Sequence, residues 1–410
     1  MAEEAKAEVG PDGLASRLME SGALAPEWLP AFEAVPRDQF VPDVIWPGRS
    51  GMNRQDDRVI RSEEPELWWR AVYTDAPITT QWDDGAYTGP GKGRAPSCSN
   101  SMPTMVFSML SALDVQPGHR VLEIGTGTGW NAALLSHRLG DRNVVTIEVD
   151  DAVAEAARGR LSSAGFKPTV VVGDGTRGYG KAAPYDRIIA TCSVGQIPSQ
   201  WIGQAHPGAV VVAPWGPVYG GEAVTRLVID EDGLAQGHFI GSSAFMRLRQ
   251  QRKNLPPTRR FLDKERWPLG ATRSTTTLSP DDVGDWICMF AIGVQVQDLF
   301  CRVDWGKQGA YRLWLFDTGV TSWASADFVE GRTEFEIAQA GPRRLWNELE
   351  AAYTWWDDQG QPGFARFGLT TRGGPTHEVW LDTPGNPVPR QAATSTDRHG
   401  QRNLRQEVHW

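Results

Sequence analysis

From Met102 to about Gly216 the apolar positions alternate between two periods. "PTMVFSMLSAL" (103–113) has helical spacing, and "PGHRVLEIG" (117–125) reads as a turn followed by a short apolar strand. "GWNAALLSHRLG" (129–140) is a helix that Gly140 ends, and "NVVTIEVD" (143–150) is a strand. "DAVAEAARGRLSSAG" (151–165) is a helix with Gly165 just beyond it, and "PTVVVGDG" (168–175) is again a strand. "YDRIIATCSV" (185–194) and "GAVVVAPWG" (208–216) are two more apolar strands, separated by the amphipathic "IPSQWIGQAH" (197–206). Strands alternating with helices predict a doubly wound α/β domain whose mostly parallel sheet is covered on both faces.

The flanks read differently. "AVTRLVIDEDGLAQGHFIGSSAFMRL" (223–248) predicts strands around an Asp-Gly turn, forming an antiparallel edge of the same sheet. "QRKNLPPTRR" (251–260) is basic, carries a double proline and reads as a linker. Beyond it lie strand-like runs at 285–297, 310–316 and 376–382 and one helix within 341–360, which predict a separate α+β domain. That stretch holds ten of the 18 tryptophans, which fill a core or line a peptide groove. Residues 1 to about 95 have weak periodicity, and "DDGAYTGPGKG" (83–93) reads as a mobile binding loop or lid. The expected division is an N-terminal cap and substrate loop (1–95), the α/β domain (96–250) and a Trp-rich C-terminal domain (260–410).

Composition narrows the function. With 22% charged and 40% hydrophobic residues among 410, the chain is globular. No run approaches the roughly 20 apolar residues of a membrane span. The start, "MAEEAKAEVGPDG", lacks the basic and apolar regions of a signal peptide, so a cytoplasmic location and no membrane partner are expected. A net charge of −9 argues against nucleic acid as the main partner. Arg49, Arg54, Arg58, Arg61 and Arg70, near Trp46, Trp68 and Trp69, are either a solvated face or a substrate-facing patch. The four cysteines and seven histidines show no metal-ligand spacing, so no metal is expected.

The chemistry concentrates in "VLEIGTGTGW" (121–130), a strand, a glycine-rich turn and a helix start. Gly125, Gly127 and Gly129 let the backbone turn tightly and a ligand approach, with Thr126 and Thr128 between them. Glu123 stands at the strand's end. Glu148, followed by Val149, closes the next strand, where an acidic side chain can accept ribose hydroxyls. Asp174, before Gly175, closes the third and could receive an adenine amino group. The G-x-G-x-G spacing is not that of a pyrophosphate binder, and no Lys-Ser/Thr pair awaits a triphosphate. Ribose and adenine acceptors without a phosphate cradle point to S-adenosylmethionine, with S-adenosylhomocysteine as product. Ahead of this, "SCSNSMP" (97–103) puts three serines before a helix, either as caps or as substrate contacts.

With "GDG" (173–175), "APYDRIIATCSVGQIPSQW" (183–201) and "PGAVVVAPWG" (207–216), the glycine motif resembles the protein-L-isoaspartate O-methyltransferases. "SNSMP" (99–103) is similar to their Thr/Ser-x-Ser-x-Pro element, which implies a catalytic, substrate-contacting role for Ser101, with Ser99 at the preceding hydroxyl position. Met102 stands where the family usually has glutamine. The resemblance covers roughly residues 30 to 240 and implies a Rossmann-like S-adenosylmethionine-dependent methyltransferase fold. The glycine-rich insertion and the C-terminal region depart from the repair enzymes. "TQWDDG" (80–85) and "SNSMP" are similar to extended actinobacterial members that accompany lanthipeptide, lasso and ω-ester peptide clusters. That likeness implies methylation of an aspartate in a ribosomally made, macrocyclised precursor peptide, leading to succinimide or isoaspartate. Repair of isoaspartyl proteins, and a non-catalytic peptide-binding protein on the same fold, are the alternatives.

Overall fold

The structure, a computed structural model, describes residues 9–48, 58–262 and 270–391. Its contacts divide the chain into two compact units. One is drawn from Met1–Trp215, Ala223–Arg252 and Phe364–Pro387, the other from Gly216–Glu222, Lys253–Gly363 and Val388–Trp410.

The first unit opens with helices Pro11–Glu20 and Leu29–Ala34 and, further on, helix Pro65–Val72. Beside them β1 (Val44–Pro47), β2 (Val59–Ile60), β3 (Ile78–Trp82) and β4 (Pro96–Asn100) form a small sheet in the order β2-β1-β3-β4. The N-terminal region is therefore structured, against the weak periodicity of its sequence. Apart from the ten-residue helix Pro11–Glu20, its elements are too short for either period to declare itself. Leu14, Leu18, Phe32, Trp68 and Val72 join the same apolar core as Phe107, Leu110 and Leu134, so packing rather than local pattern orders them. A boundary at residue 95 would cut between two paired strands, since β3 and β4 are hydrogen-bonded neighbours.

Next comes the doubly wound sheet. β5 (Val121–Ile124), β6 (Val144–Glu148), β7 (Thr169–Val172), β8 (Tyr185–Ala190) and β9 (Ala205–Trp215) are mutually parallel and lie in the order β7-β6-β5-β8-β9. Helices Pro103–Leu113, Trp130–Leu139 and Asp151–Ser163 connect or precede them. β5 and β6 are buried along their whole length, as strands covered on both faces must be, while the outermost β7 is half exposed. From β5 the chain winds first to β6 and later to β8 on the other side. The crevice at the carboxyl ends of β5 and β8 is thus the switch point where ligands bind in such sheets.

β10 (Ala223–Ile229) and β11 (Ala235–Ser242) extend the sheet antiparallel, around the expected Asp-Gly turn. They are not its edge. The second unit intervenes first, with a five-stranded sheet of β12 (Thr272–Thr276), β13 (Leu299–Trp305), β14 (Tyr311–Asp317), β15 (Trp323–Phe328) and β16 (Phe335–Ala340). Then β17 (Phe367–Thr371) returns to pair with β11 and β18 (His377–Leu381) pairs with β17, giving nine strands in the order β18-β17-β11-β10-β9-β8-β5-β6-β7. The linear 260–410 division thus breaks down, because residues 364–387 complete the first unit's sheet.

One element was of the wrong type. The run at 285–297 forms helix Trp286–Gln295, not a strand. It is apolar on nearly every side and buried, so periodicity cannot separate the two forms. Asp285 decides it as N-cap, its Oδ1 accepting from Ile287 N at 3.1 Å and Cys288 N at 3.3 Å. Trp314, Trp323, Trp346 and Trp356 are buried in the second unit, whereas Trp305 on β13 is 75% exposed. All four cysteines are free. Among the described residues, no helix is long and apolar enough to cross a membrane.

Candidate active site at the carboxyl ends of the central strands

A cavity of about 490 Å³ lies at the switch point, within the first unit. Its floor is the turn after β5. Gly125 and Gly127 take φ of +96° and +52°, values at which a side chain is strained. A Cβ on Gly125 would also stand 2.8 Å from Thr191 Oγ1. The turn is tied to β6 by Gly125 N and Thr126 N, which both donate to Ile147 O, and by the Thr126–Thr146 hydroxyl pair at 2.6 Å. Gly129 does not line the cavity. At φ +94° it starts helix Trp130–Leu139, and a Cβ there would sit 3.3 Å from Leu161 Cγ, so its smallness serves helix packing.

Two carboxylates face this turn. Glu123 is fully buried, its Oε1 accepting from Asn131 Nδ2 at 2.7 Å while Oε2 has no hydrogen-bond partner. Burial pushes its carboxyl up to about 7, against the opposing pull of the Thr146 hydroxyl and the Asn131 amide. Glu148 accepts at Oε1 from Val149 N (2.9 Å) and Asp150 N (3.1 Å), and at Oε2 from Gly127 N (3.0 Å). A carboxylate offers about four lone-pair sites, so these three amides orient Glu148 and leave room for a further donor. Val149 and Gly175 also line the cavity, but Asp174 does not. Its Oδ1 is taken by Thr176 N (2.8 Å) and Thr176 Oγ1 (2.6 Å), capping the short turn Gly175–Arg177.

The opposite wall brings in the serines. Ser97, Ser99 and Ser101 line the cavity together with Met102, Met105 and Val106. None caps the following helix. Met102 holds the cap position without a side-chain bond, and Asp75 reaches in from outside to accept from Thr104 N (2.9 Å) and Thr104 Oγ1 (2.6 Å). The helix N-terminus therefore already receives a carboxylate, the chain's own. Ser97 shapes the loop, donating to Gln81 Oε1 (2.8 Å) and accepting from Asp84 N (3.0 Å).

Sequence reasoning missed the third wall, Ala244–Arg249 and Arg252, which follows β11. Ser193 N donates to Met246 O and Leu248 N to Ser193 O, a pairing between segments too distant for any local pattern. The basic stretch read as a linker thus begins inside the site. Arg249 bridges Asp84 and Asp150, each at 3.0 Å, and Arg252 Nη1 lies 2.9 Å from both oxygens of Asp84. Asp83 Oδ1 accepts from Ala95 N (2.8 Å) and Trp46 Nε1 donates to Gly91 O (2.6 Å), which tether the glycine-rich loop at its base and near its tip. Arg58, Arg61 and Arg70 do not line the cavity, and Arg61 lies over the Trp68 ring at 4.4 Å. Arg49 and Arg54 fall outside the described residues.

The family model described as protein-L-isoaspartate(D-aspartate) O-methyltransferase matches residues 61–253, the stretch that builds this cavity. The protein-L-isoaspartate O-methyltransferase of Methanopyrus kandleri is 38% identical over 187 residues, covering 45% of this chain and 76% of that protein. The chain belongs to this family. Its members are S-adenosylmethionine-dependent carboxyl O-methyltransferases, and S-adenosylmethionine is the cofactor. The namesake from Methanosarcina mazei is also 38% identical, over 154 residues, and the match spans 37% of this chain and 58% of that protein. A solved protein-L-isoaspartate O-methyltransferase aligns with 91% of this chain at a TM-score of 0.49 and 20% identity.

The residues present fit the cofactor. The glycine turn leaves a cradle that side chains would fill, and Glu123 Oε2 is a buried acceptor without a hydrogen bond of its own.

Proposed function

We propose that the chain methylates an aspartyl side-chain carboxylate of a ribosomally made, macrocyclised peptide, leading to succinimide or isoaspartate. The observation that carries the transferase part is one cavity lined by both Ser101 and the cofactor turn, with the hydroxyl not spent on capping. S-adenosylmethionine supplies an electrophilic methyl group on a sulfonium. Glu123 and Glu148 would hold its cationic and ribose portions, the turn Gly125–Gly129 would admit its backbone-side face, and Val149 and Gly175 would border its base. Ser101 would donate a hydrogen bond to one oxygen of the acceptor carboxylate, fixing the other in line for attack, with Ser99 beside it.

The acceptor needs no general base, since a carboxylate with an ordinary pKa near 4 is already anionic. Ser101 would hold one oxygen still while the other takes the methyl group, the cofactor's carbon–sulfur bond giving way so that it is released as the thioether. Alignment is the main task, and good positioning can contribute roughly 7 to 11 kcal/mol. Met102, Met105 and Phe245 line the cavity and would give the reacting groups an apolar wall. The following backbone N–H of the peptide can then attack the ester carbonyl, expelling methanol and closing a succinimide.

The tailoring role rests on the second unit, most of which lies beyond the matched 61–253 and which we assign to peptide recognition. Repair of isoaspartyl proteins is the second reading, favoured by the curated relatives' own names. Comparing kcat/KM for a cyclised aspartyl peptide, its linear form and a linear isoaspartyl peptide separates them. Tailoring predicts a preference for the cyclised peptide, whereas faster turnover of the linear isoaspartyl peptide overturns it in favour of repair.

A further inference from the structure

Between the two walls of the cavity stands Asn100, the last residue of β4, only 2% exposed. Its Nδ2 donates to Thr128 Oγ1 at 2.9 Å, in the cofactor turn. Its Oδ1 accepts from Arg37 Nε at 2.7 Å. Arg37 is buried too and fans out over backbone carbonyls, Val72 O at 2.7 Å and Ser101 O at 2.8 Å among them. A continuous path of buried hydrogen bonds therefore runs from Thr128 through Asn100 and Arg37 to the carbonyl of Ser101. Asn100 and Ser101 are also covalent neighbours, so the Asn100 side chain fixes Ser101 from both directions.

We infer that Asn100 is a positioning residue that couples cofactor seating in the glycine turn to the placement of Ser101 for the acceptor carboxylate. The inference deepens the proposed function and rests on it for the role of Ser101. Its physical basis is that a buried amide with both ends engaged has one favourable orientation, because turning it would set its NH2 against Arg37 Nε, donor against donor. A shift of the turn on cofactor binding is therefore passed to residue 101 instead of being absorbed by solvent. An aliphatic residue at position 100 would fill the same space without transmitting anything.

The test uses Asn100→Leu and Thr128→Val in the full-length protein, with S-adenosylhomocysteine as the cofactor probe. In Asn100→Leu, kcat for methylation of an aspartyl peptide should fall by about tenfold. Its peptide KM and its S-adenosylhomocysteine affinity should stay within about threefold of the wild type. Thr128→Val should give a similar kcat loss, and the double variant should be no worse than the poorer single one. A second readout needs no turnover: S-adenosylhomocysteine should slow amide exchange across 100–106 in the wild type but not in either variant. Additive kcat losses, or protection of 100–106 that persists in the variants, overturn the coupling. A wild type that transmits protection yet methylates no aspartyl peptide sinks the proposed function and leaves the coupling standing.

Discussion

Ser101 and Glu123 illustrate how far single residues can be read. The serine was legible from its place before a proline-started helix, and so was the choice between cap and contact. Asp75, 26 positions upstream, takes the Thr104 amide with its carboxylate and leaves the serine out of the cap. No local pattern announces that. The spacing of Asp174 suggests a base acceptor; its Oδ1 bonds Thr176, while its Oδ2 lies 3.7 Å from Arg177 Nε. Glu123 carries a pH prediction. Its folded pKa of about 7 exceeds the ordinary 4.5, so its contribution to stability is fully present below pH 4.5 and is lost as pH rises through 7. Glu123→Gln removes that dependence. Without cofactor, the melting temperature of the wild type should drop relative to the variant between pH 5 and pH 8, and parallel curves would contradict the assignment.

Among the elements, the long periodic ones were legible and the short or uniformly apolar ones were not. Helices Trp130–Leu139 and Asp151–Ser163 and strands β5, β6, β8 and β9 follow their patterns because each buries one defined face or both, and the half-exposed β7 follows its run of valines. Helix Trp286–Gln295 does not, since a run buried all round leaves only its cap to reveal its type. Helix Pro103–Leu113 is braced at both ends by residues far along the chain. Asp75 meets its first turn, while Arg187 Nε donates to Leu113 O at 2.7 Å at its last. Removing the first brace with Asp75→Ala should cost about 1 kcal/mol. It should also quicken amide exchange at Thr104–Phe107. Denaturant titration with exchange measurements checks this, and unchanged exchange would show that the helix start is held by something else.

For the whole molecule, the parallel sheet and its glycine turn were readable because every connection within them is short. The return of β17 and β18 was not, because about 120 residues separate β11 from the strand that pairs with it. The second unit is in effect inserted into the first, and the catalytic sheet is completed only near the end of the described chain. A chain stopped after Leu262 would expose the β11 edge to association with other copies. It should aggregate or lose S-adenosylhomocysteine binding, as sedimentation and calorimetry would report. A soluble monomer with full affinity would mean that the last two strands are dispensable.

The central claim is that Ser101 holds the acceptor carboxylate beside the cofactor turn without itself holding the cofactor. Methyl transfer by Ser101→Ala, followed with labelled S-adenosylmethionine and read as base-labile label on the peptide, tests it most directly when paired with calorimetry of S-adenosylhomocysteine. The account predicts a fall in kcat of about tenfold or more, the loss expected for one charge-assisted hydrogen bond to the carboxylate. Cofactor affinity should not change. Undiminished label transfer, or a loss of activity that follows a loss of cofactor binding, would contradict it.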